Sequence, residues 1–348
     1  MFQLTVLNAQ QVENLLTMQT ALHAVEQAYC LKSSGKAGLF PVVTHIFEKD
    51  KADLDIKSGE LSGAGLFGLK LVSWFGDNVS KNLPALIGTI LVFDSNTGAP
   101  IGLMNAGQIT GMRTGAAAAI GSRCLARPDS HTLLLVGCGT QAPFQIMAHL
   151  ESFQQIERVL VYNPLAYEYA DQFCMKIHTV LQERFLQHNN TQHNEWRKRI
   201  DIPYEPVQSL PDALELADIV LTITPSRTPI IKSEWVRPGT HLSCMGADME
   251  GKQEVDEALM SRCRVYADDI SQSMNIGECE IAVKKGILTR ESYCGEIGEV
   301  LNGTKPGRQN PEEITLFDST GIALQDLSTA SEILRLAKEK GIGSTIEL

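Results

Sequence analysis

Residues 132–142, TLLLVGCGTQA in part, carry an apolar run that breaks into Gly137-Cys138-Gly139-Thr140-Gln141-Ala142. This is G-x-G-x-x-A, placed directly after a strand of the fully buried type and directly before a helix. Gly137 permits the tight turn, Gly139 lets a pyrophosphate approach the main chain, and Ala142 lets helix and strand pack closely. Thr140 and Gln141 complete the turn, and the helix N-terminus offers N–H groups and partial positive charge to the phosphates. The chemistry this suits is dinucleotide binding. The next strand, RVLVY, ends at Asn163, the position that reads the cofactor ribose. An acid there would chelate a 2′-hydroxyl and an arginine would meet a 2′-phosphate. Asn163-Pro164-Leu165 supplies neither, so NAD and NADP both stay open.

Three charges sit in apolar or small-residue surroundings. Lys70 is a lone cation in GLKLVSWF. A buried lysine is costly without an anion, so it reads either as a carboxylate ligand or as an outward lysine on an edge strand. Arg113 lies among glycines and alanines in GQITGMRTGAAAAIGSRCLA. Its fork suits bidentate carboxylate binding, or a structural salt bridge. Asp248 follows THLSCMG, at the carboxyl edge where α/β sheets place their chemistry, and reads either as a site residue or as a turn or N-cap aspartate. Strand alternation in DLDIKSG puts Asp53, Asp55 and Lys57 on one face, which is a substrate wall or a solvated surface.

The elements that must position these residues fall into two textures. The first 35 residues read as helical, with Thr20 able to cap the segment and Gly35 to end it. From 38 to 105, LFGLKLVSWF, LIGTILVF and APIGLMN read as strands with SNTG, 95–98, as a hairpin turn, giving a mostly antiparallel sheet. An alanine-rich helix spans 107–126 and stops at Arg127-Pro128-Asp129. From 132 strands and helices alternate through DIVLTIT, THLSCMG, RVYAD and a last strand near Ile314–Phe317, which predicts a parallel sheet covered on both faces. A final helix from Ser319 to Lys340 returns to the first sheet.

The fold class is therefore α/β. A Rossmann-type doubly wound parallel sheet over 128–318 is joined to a second, smaller α+β domain built from both chain ends, 1–127 and 319–348. The polar stretch 183–203 reads as an irregular surface excursion, with His188 and His193 in a solvated loop.

Composition narrows the function classes. The chain has 348 residues, 43% apolar and 20% charged, enough for packed cores. It has no run of about 18 apolar residues and no signal-peptide pattern, so neither a membrane span nor export is expected. A net charge of -11 argues against nucleic acid as a partner. Eight cysteines without a CxxC pair point to reduced thiols in a cytoplasm and to no metal site.

The run GLKLVSWFGDN, then LPALIGTILVFDSNTGAPIGLMNAGQITGMRTGAAAA, GCGTQA, MGADMEGKQEVD and STGIALQD, resembles the ornithine cyclodeaminase/mu-crystallin family, collinearly over nearly the whole chain. That family includes cyclodeaminases, alanine dehydrogenases, ketimine and imino-acid reductases, and crystallin-like binding proteins. The resemblance implies a Rossmann domain, a substrate-binding and dimerisation domain, a homodimer, and NAD or NADP as cofactor. It implies that Lys70 and Arg113 hold the substrate carboxylate, with Lys70 also catalytic. Arg113 and Thr114 would reach the cofactor, Asp248 would accept the substrate amine's proton, and Lys252 and Ser319 would contact the cofactor.

One departure stands out. Where the family often has an arginine for the α-carboxylate, FPVVTHIF puts Val43. Lys57 is a replacement cation, and Asp55 loosely matches an acid that holds the side-chain amine of ornithine in cyclodeaminases. The expected function is hydride transfer at the α-carbon of an α-amino or α-imino acid by an NAD(P)-dependent oxidoreductase. Three cations would also suit a dicarboxylate such as iminosuccinate, and SMNIGECEIAVKKG has some likeness to that branch. One alternative is an ornithine or related diamino-acid cyclodeaminase releasing ammonia. The other is a crystallin-like NADP-dependent binding protein, against which the carboxylate at 248 speaks. The reading requires Lys70, Arg113 and Asp248, far apart in sequence, to meet beside a nicotinamide ring.

Overall fold

The computed structural model describes residues 2–49, 51–186 and 193–348, apart from the side chains of 193–195. His188 lies outside the described residues, as does the side chain of His193. In chain order the first elements are β1 (Gln3–Leu7), α1 (Ala9–Leu15) and α2 (Met18–Ser33). Strands β2 (Gly38–Leu39), β3 (Val43–Glu48), β4 (Ala52–Leu61), β5 (Leu66–Phe75), β6 (Leu86–Asp94) and β7 (Pro100–Asn105) follow. Helix α3 (Gly107–Leu125) leads to β8 (Thr132–Val136), α4 (Ala142–Ser152), β9 (Arg158–Tyr162), α5 (Tyr167–Phe185), α6 (His193–Ile200) and β10 (Tyr204–Pro206). Then come α7 (Leu210–Leu216), β11 (Ile219–Thr222), β12 (Arg227–Ile231), β13 (His241–Cys244), β14 (Gln253–Val255) and β15 (Cys263–Ala267). The chain ends through α8 (Ile270–Ile276), α9 (Glu280–Lys284), β16 (Gly295–Glu296), α10 (Ile297–Leu301), β17 (Ile314–Asp318), α11 (Ala323–Lys340) and β18 (Ser344–Glu347).

The chain divides into two units, Met1–Arg113 with Ile322–Leu348, and Thr114–Gly321. The first division falls inside α3, ahead of the proline stop at which 127 was expected to end the first domain. The second falls just past the expected 318. The small residues of α3 explain the shift. A Cβ at Gly115 would run into the Phe144 carbonyl, and one at Gly121 into the Phe317 ring, so most of α3 is packed into the second unit.

In the first unit the strand order is β18-β1-β7-β6-β5-β4-β2, with β3 also paired to β4. Pairing is antiparallel except between β1 and β7. Helix α11 lies on α2, β4, β5 and β6. Its approach is close because Gly59 and Gly68 face one another across β4 and β5. A Cβ on Gly68 would lie 2.8 Å from Leu327, and one on Gly59 3.1 Å from Leu324. The N-terminal 35 residues are not all helical: β1 precedes the helices, held by β7 and by β18 from the far end of the chain. Thr17 rather than Thr20 caps α2, accepting the Thr20 N–H at 3.2 Å. Gly35, with φ 72°, ends that segment.

The second unit is a wholly parallel sheet in the order β10-β9-β8-β11-β13-β17-β15-β16. Leu134, Val136, Val220, Leu242 and Leu316 form its core, each almost fully buried. The order of the strands reverses between β8 and β11, the switch point at which open α/β sheets bind ligands beyond their carboxyl ends. The stretch 183–203 is not irregular throughout, since α6 occupies its later part and buries Ile200. No helix among the described residues is long and apolar enough to cross a membrane.

Candidate active site

The glycine turn leaves β8 at the switch point. Gly137 has φ 103°, a left-handed conformation that glycine alone adopts without strain, and its N–H donates to Tyr162 O at 2.9 Å. A Cβ there would lie 2.9 Å from the Thr224 methyl, whereas a Cβ on Gly139 would meet nothing within 4 Å. The turn is thus tight on the protein side and open at Gly139. Ala142 begins α4 and is fully buried, and Pro143 occupies the first helical turn, where a missing N–H costs nothing. Among the described residues, the buried Oε1 of Gln141 has no hydrogen-bond partner. An open glycine at a helix start, where main-chain N–H groups point at the incoming group, fits the pyrophosphate of a dinucleotide.

Asn163 follows β9, as the ribose-reading position requires. Its amide is committed locally: Nδ2 donates to Cys138 Sγ at 3.0 Å and Oδ1 accepts the Leu165 N–H at 2.9 Å. It therefore braces the glycine turn as well as ending the strand.

Asp248 lies in the loop after β13, on the same carboxyl edge. Its side chain is 44% exposed and ion-paired with Lys252 at 2.5 Å. Two residues assigned separate roles are thus partners four positions apart. Ser319 follows β17 on that edge, but it is buried and its hydroxyl donates to Asp268 Oδ2 at 2.9 Å. Asp268 also accepts the Gly321 N–H at 2.9 Å. The hydroxyl expected to meet a cofactor is thus held inside a carboxylate-centred turn.

In the first unit the structure draws the predicted cations together. Lys57 and Lys70 are directly opposite in the β4–β5 register, on the face that also carries Gly59 and Gly68. Both are buried, at 5% and 2% exposure, so Lys70 is not an outward lysine. Like charges placed opposite destabilise a sheet unless an anion intervenes. That anion is Asp326, in the first turn of α11. Lys70 Nζ donates to Oδ1 at 2.9 Å and lies 2.8 Å from Oδ2, while Arg113 Nε donates to Oδ1 at 3.1 Å. Arg113 also donates to Gln325 Oε1 at 2.9 Å, and Gln325 Nε2 donates to the Tyr29 hydroxyl at 2.7 Å.

Electrostatics follow from this packing. Burial first, then Arg113, pushes the Lys70 ammonium down to about 7, with Asp326 opposing. Burial pushes the Asp326 carboxyl up, but Arg113 and Lys70 outweigh it and hold the group below its usual range. Asp55 accepts the Thr44 hydroxyl at 2.6 Å from β3, and Val43 on that strand is exposed. Thr114 is half-buried in α3. Among the described residues, no group of three or more His, Cys, Asp or Glu side chains could hold a metal ion.

Sequence reasoning did not single out Asp326 or Gln325, although both lie in the quoted STGIALQD segment and its neighbours. The signal was present as a demand: two cations in apolar settings need an anion.

A Rossmann-type nucleotide turn in one unit and a buried, carboxylate-bridged cation cluster in the other define a class of dinucleotide-linked α/β protein. The chain belongs to the ornithine cyclodeaminase/mu-crystallin family, whose model matches residues 3–341. An archaeal alanine dehydrogenase, solved as a dimer with bound NAD, is 36% identical with a TM-score of 0.87 over 99% of each chain. Thermococcus litoralis Delta(1)-pyrroline-2-carboxylate reductase, solved with NADH and L-proline, is 30% identical with a TM-score of 0.87, covering 98% of this chain and 100% of the other. Iminosuccinate reductase of Paracoccus denitrificans is 32% identical over 99% of each chain.

Proposed function

We propose that the protein is an NAD-linked oxidoreductase that interconverts an α-imino acid and the corresponding α-amino acid. The observation that carries this reading is the shared carboxylate. Lys70 and Arg113 are two buried cations meeting one acid, Asp326, so an incoming substrate carboxylate restores the balance. The three relatives named above act, by name, on alanine, iminosuccinate and pyrroline-2-carboxylate, which share a carboxylate beside a carbon–nitrogen bond. All three are solved with NAD or NADH, which favours that nucleotide here.

The nicotinamide, when bound, donates or accepts the hydride at the α-carbon. The protein's part is orientation and proton handling. Lys70 and Arg113, with Lys57 beside them, fix the carboxylate and so present one face of the α-carbon. Asp248, half-exposed and accompanied by Lys252, carries the proton to or from the substrate nitrogen. Gly137, Gly139 and Ala142 shape the phosphate-binding turn.

A cyclodeaminase would need Asp55 to hold a distal amine, and alanine, iminosuccinate and pyrroline-2-carboxylate, the compounds after which the relatives above are named, carry none, which favours net oxidoreduction. The exposed apolar residues Val43, Ile46 and Phe47 on β3, Phe75 on β5, and Leu86 and Ile87 on β6 fit burial against a second copy, as a homodimer. Eight cysteines, all free, fit a reducing cytoplasm.

The test is a panel of α-keto acids with ammonium, and of cyclic imines, assayed with NADH and with NADPH. Steady loss of NADH absorbance with amino-acid formation supports the reading. Cyclised product and ammonia from ornithine, without net cofactor change, refutes it.

A further inference from the structure

Glu254, fully buried in β14, fastens two neighbouring strand ends of the parallel sheet. Its Oε1 accepts the Thr224 main-chain N–H at 2.6 Å and the Thr224 hydroxyl at 2.7 Å. Its Oε2 accepts the Gly246 N–H at 3.0 Å. Thr224 lies just beyond β11 and Gly246 just beyond β13, which are adjacent strands. Their ladder ends at Thr222 and Cys244, so the carboxylate acts on the segments beyond the last ladder pair.

Each of those segments leads to a functional turn. The Thr224 methyl is the wall against which Gly137 packs. Gly246 opens the loop that carries Asp248 two residues later. Glu254 is itself held, because Glu278 accepts the N–H groups of Glu254 and Val255 at 2.9 and 2.6 Å. At the other end of the loop, the buried Glu280 accepts the Gly251 N–H at 2.7 Å, and Arg227 donates to Glu250 O at 2.9 Å. Buried carboxylates therefore clamp the Asp248 loop at both ends.

We propose that Glu254 is a positioning residue for proton transfer: it fixes Asp248 relative to the phosphate-binding turn. The inference rests on Asp248 being the proton carrier. Glu254→Gln places an amide N–H₂ opposite a main-chain N–H, so one strand end must move away. Displacements on the order of an ångström cost about tenfold to a hundredfold in turnover.

The experiment is a double-mutant cycle between Glu254→Gln and Asp248→Asn, read as kcat and as the KM for NADH. With Asp248 present, Glu254→Gln lowers kcat by about tenfold or more and changes the KM for NADH little. In the Asp248→Asn background the same change costs less than about twofold, because the residue it positions is gone. Equal losses in both backgrounds overturn the inference while leaving the role of Asp248 standing. Full activity of Asp248→Asn alone overturns the reading beneath it, and the inference with it. Thr224→Val, which deletes one of the three donors, is taken through the same cycle and decides the matter if Glu254→Gln gives no folded protein. Coupling then supports the proposal and additivity rejects it.

Discussion

The Lys70 ammonium donates to the Asp326 carboxylate at 2.9 Å, across 256 positions of sequence and with neither side chain more than 2% exposed. Arg113 shares the same oxygen. Removing the acid would strand two buried cations, and breaking one partner from a buried pair costs about 3–5 kcal/mol. Asp326→Asn is expected to lower unfolding stability by that order in a denaturant titration. A loss below about 1 kcal/mol would show that solvent reaches the cluster.

The Lys70 charge sets a pH dependence. Burial and Arg113 hold the group down to about 7, so it is charged below that pH and loses its proton as pH rises through it. Carboxylate binding needs the charged form. The KM for the imino-acid substrate should therefore climb as pH rises above about 7, while the KM for NADH stays flat. In Asp326→Asn, where folded, the limb moves to lower pH, because the anion that supports the lysine's charge is gone. A limb unmoved by that change would assign it to another group.

Gly137 and Gly139 should respond differently to alanine. Gly137 is left-handed at φ 103°, with Thr224 2.9 Å from a Cβ, so Gly137→Ala strains the fold itself, by about 1–3 kcal/mol. Gly139→Ala meets no atom of the described residues within 4 Å. It should keep the wild-type Tm yet raise the Kd for NADH at least about tenfold, by blocking approach of the phosphates. Fluorescence titration of NADH together with thermal melts of both variants separates the two effects.

Asp248→Asn should leave NADH affinity near wild type and lower kcat by about 100-fold or more, the scale of a lost general acid–base group. The pairing with Lys252 at 2.5 Å makes a second readout available. Lys252→Met should alter the pH profile of kcat without abolishing turnover.

What the sequence carried depended on how local the information was. The turn at 137–142 was readable because strand, glycines and helix lie within a dozen residues, and each residue's steric demand is its own. The parallel sheet was readable from the alternation of apolar strands with helices. The N-terminal strand β1 was not, because its five residues become a strand only by pairing with β7 and with β18 at the opposite end of the chain. The cation cluster was half readable. Lys70 and Arg113 announced a need for an anion, but the identity of Asp326 depends on α11 seating on Gly59 and Gly68, a packing event with no local signature. Ser319 was named from a motif, but its hydroxyl's partner, Asp268, lies 51 positions away and has no local signature. The division within α3 likewise follows from which strands and rings its glycines touch.

The central claim is that hydride passes between a nicotinamide and the substrate α-carbon with net oxidation or reduction. The most direct measurement supplies an α-imino acid with NADH deuterated at the transferring position and follows the amino acid by mass spectrometry. The account predicts one deuterium at the α-carbon for each NADH consumed. Product formed without NADH consumption, or with the α-hydrogen drawn from solvent, would contradict it.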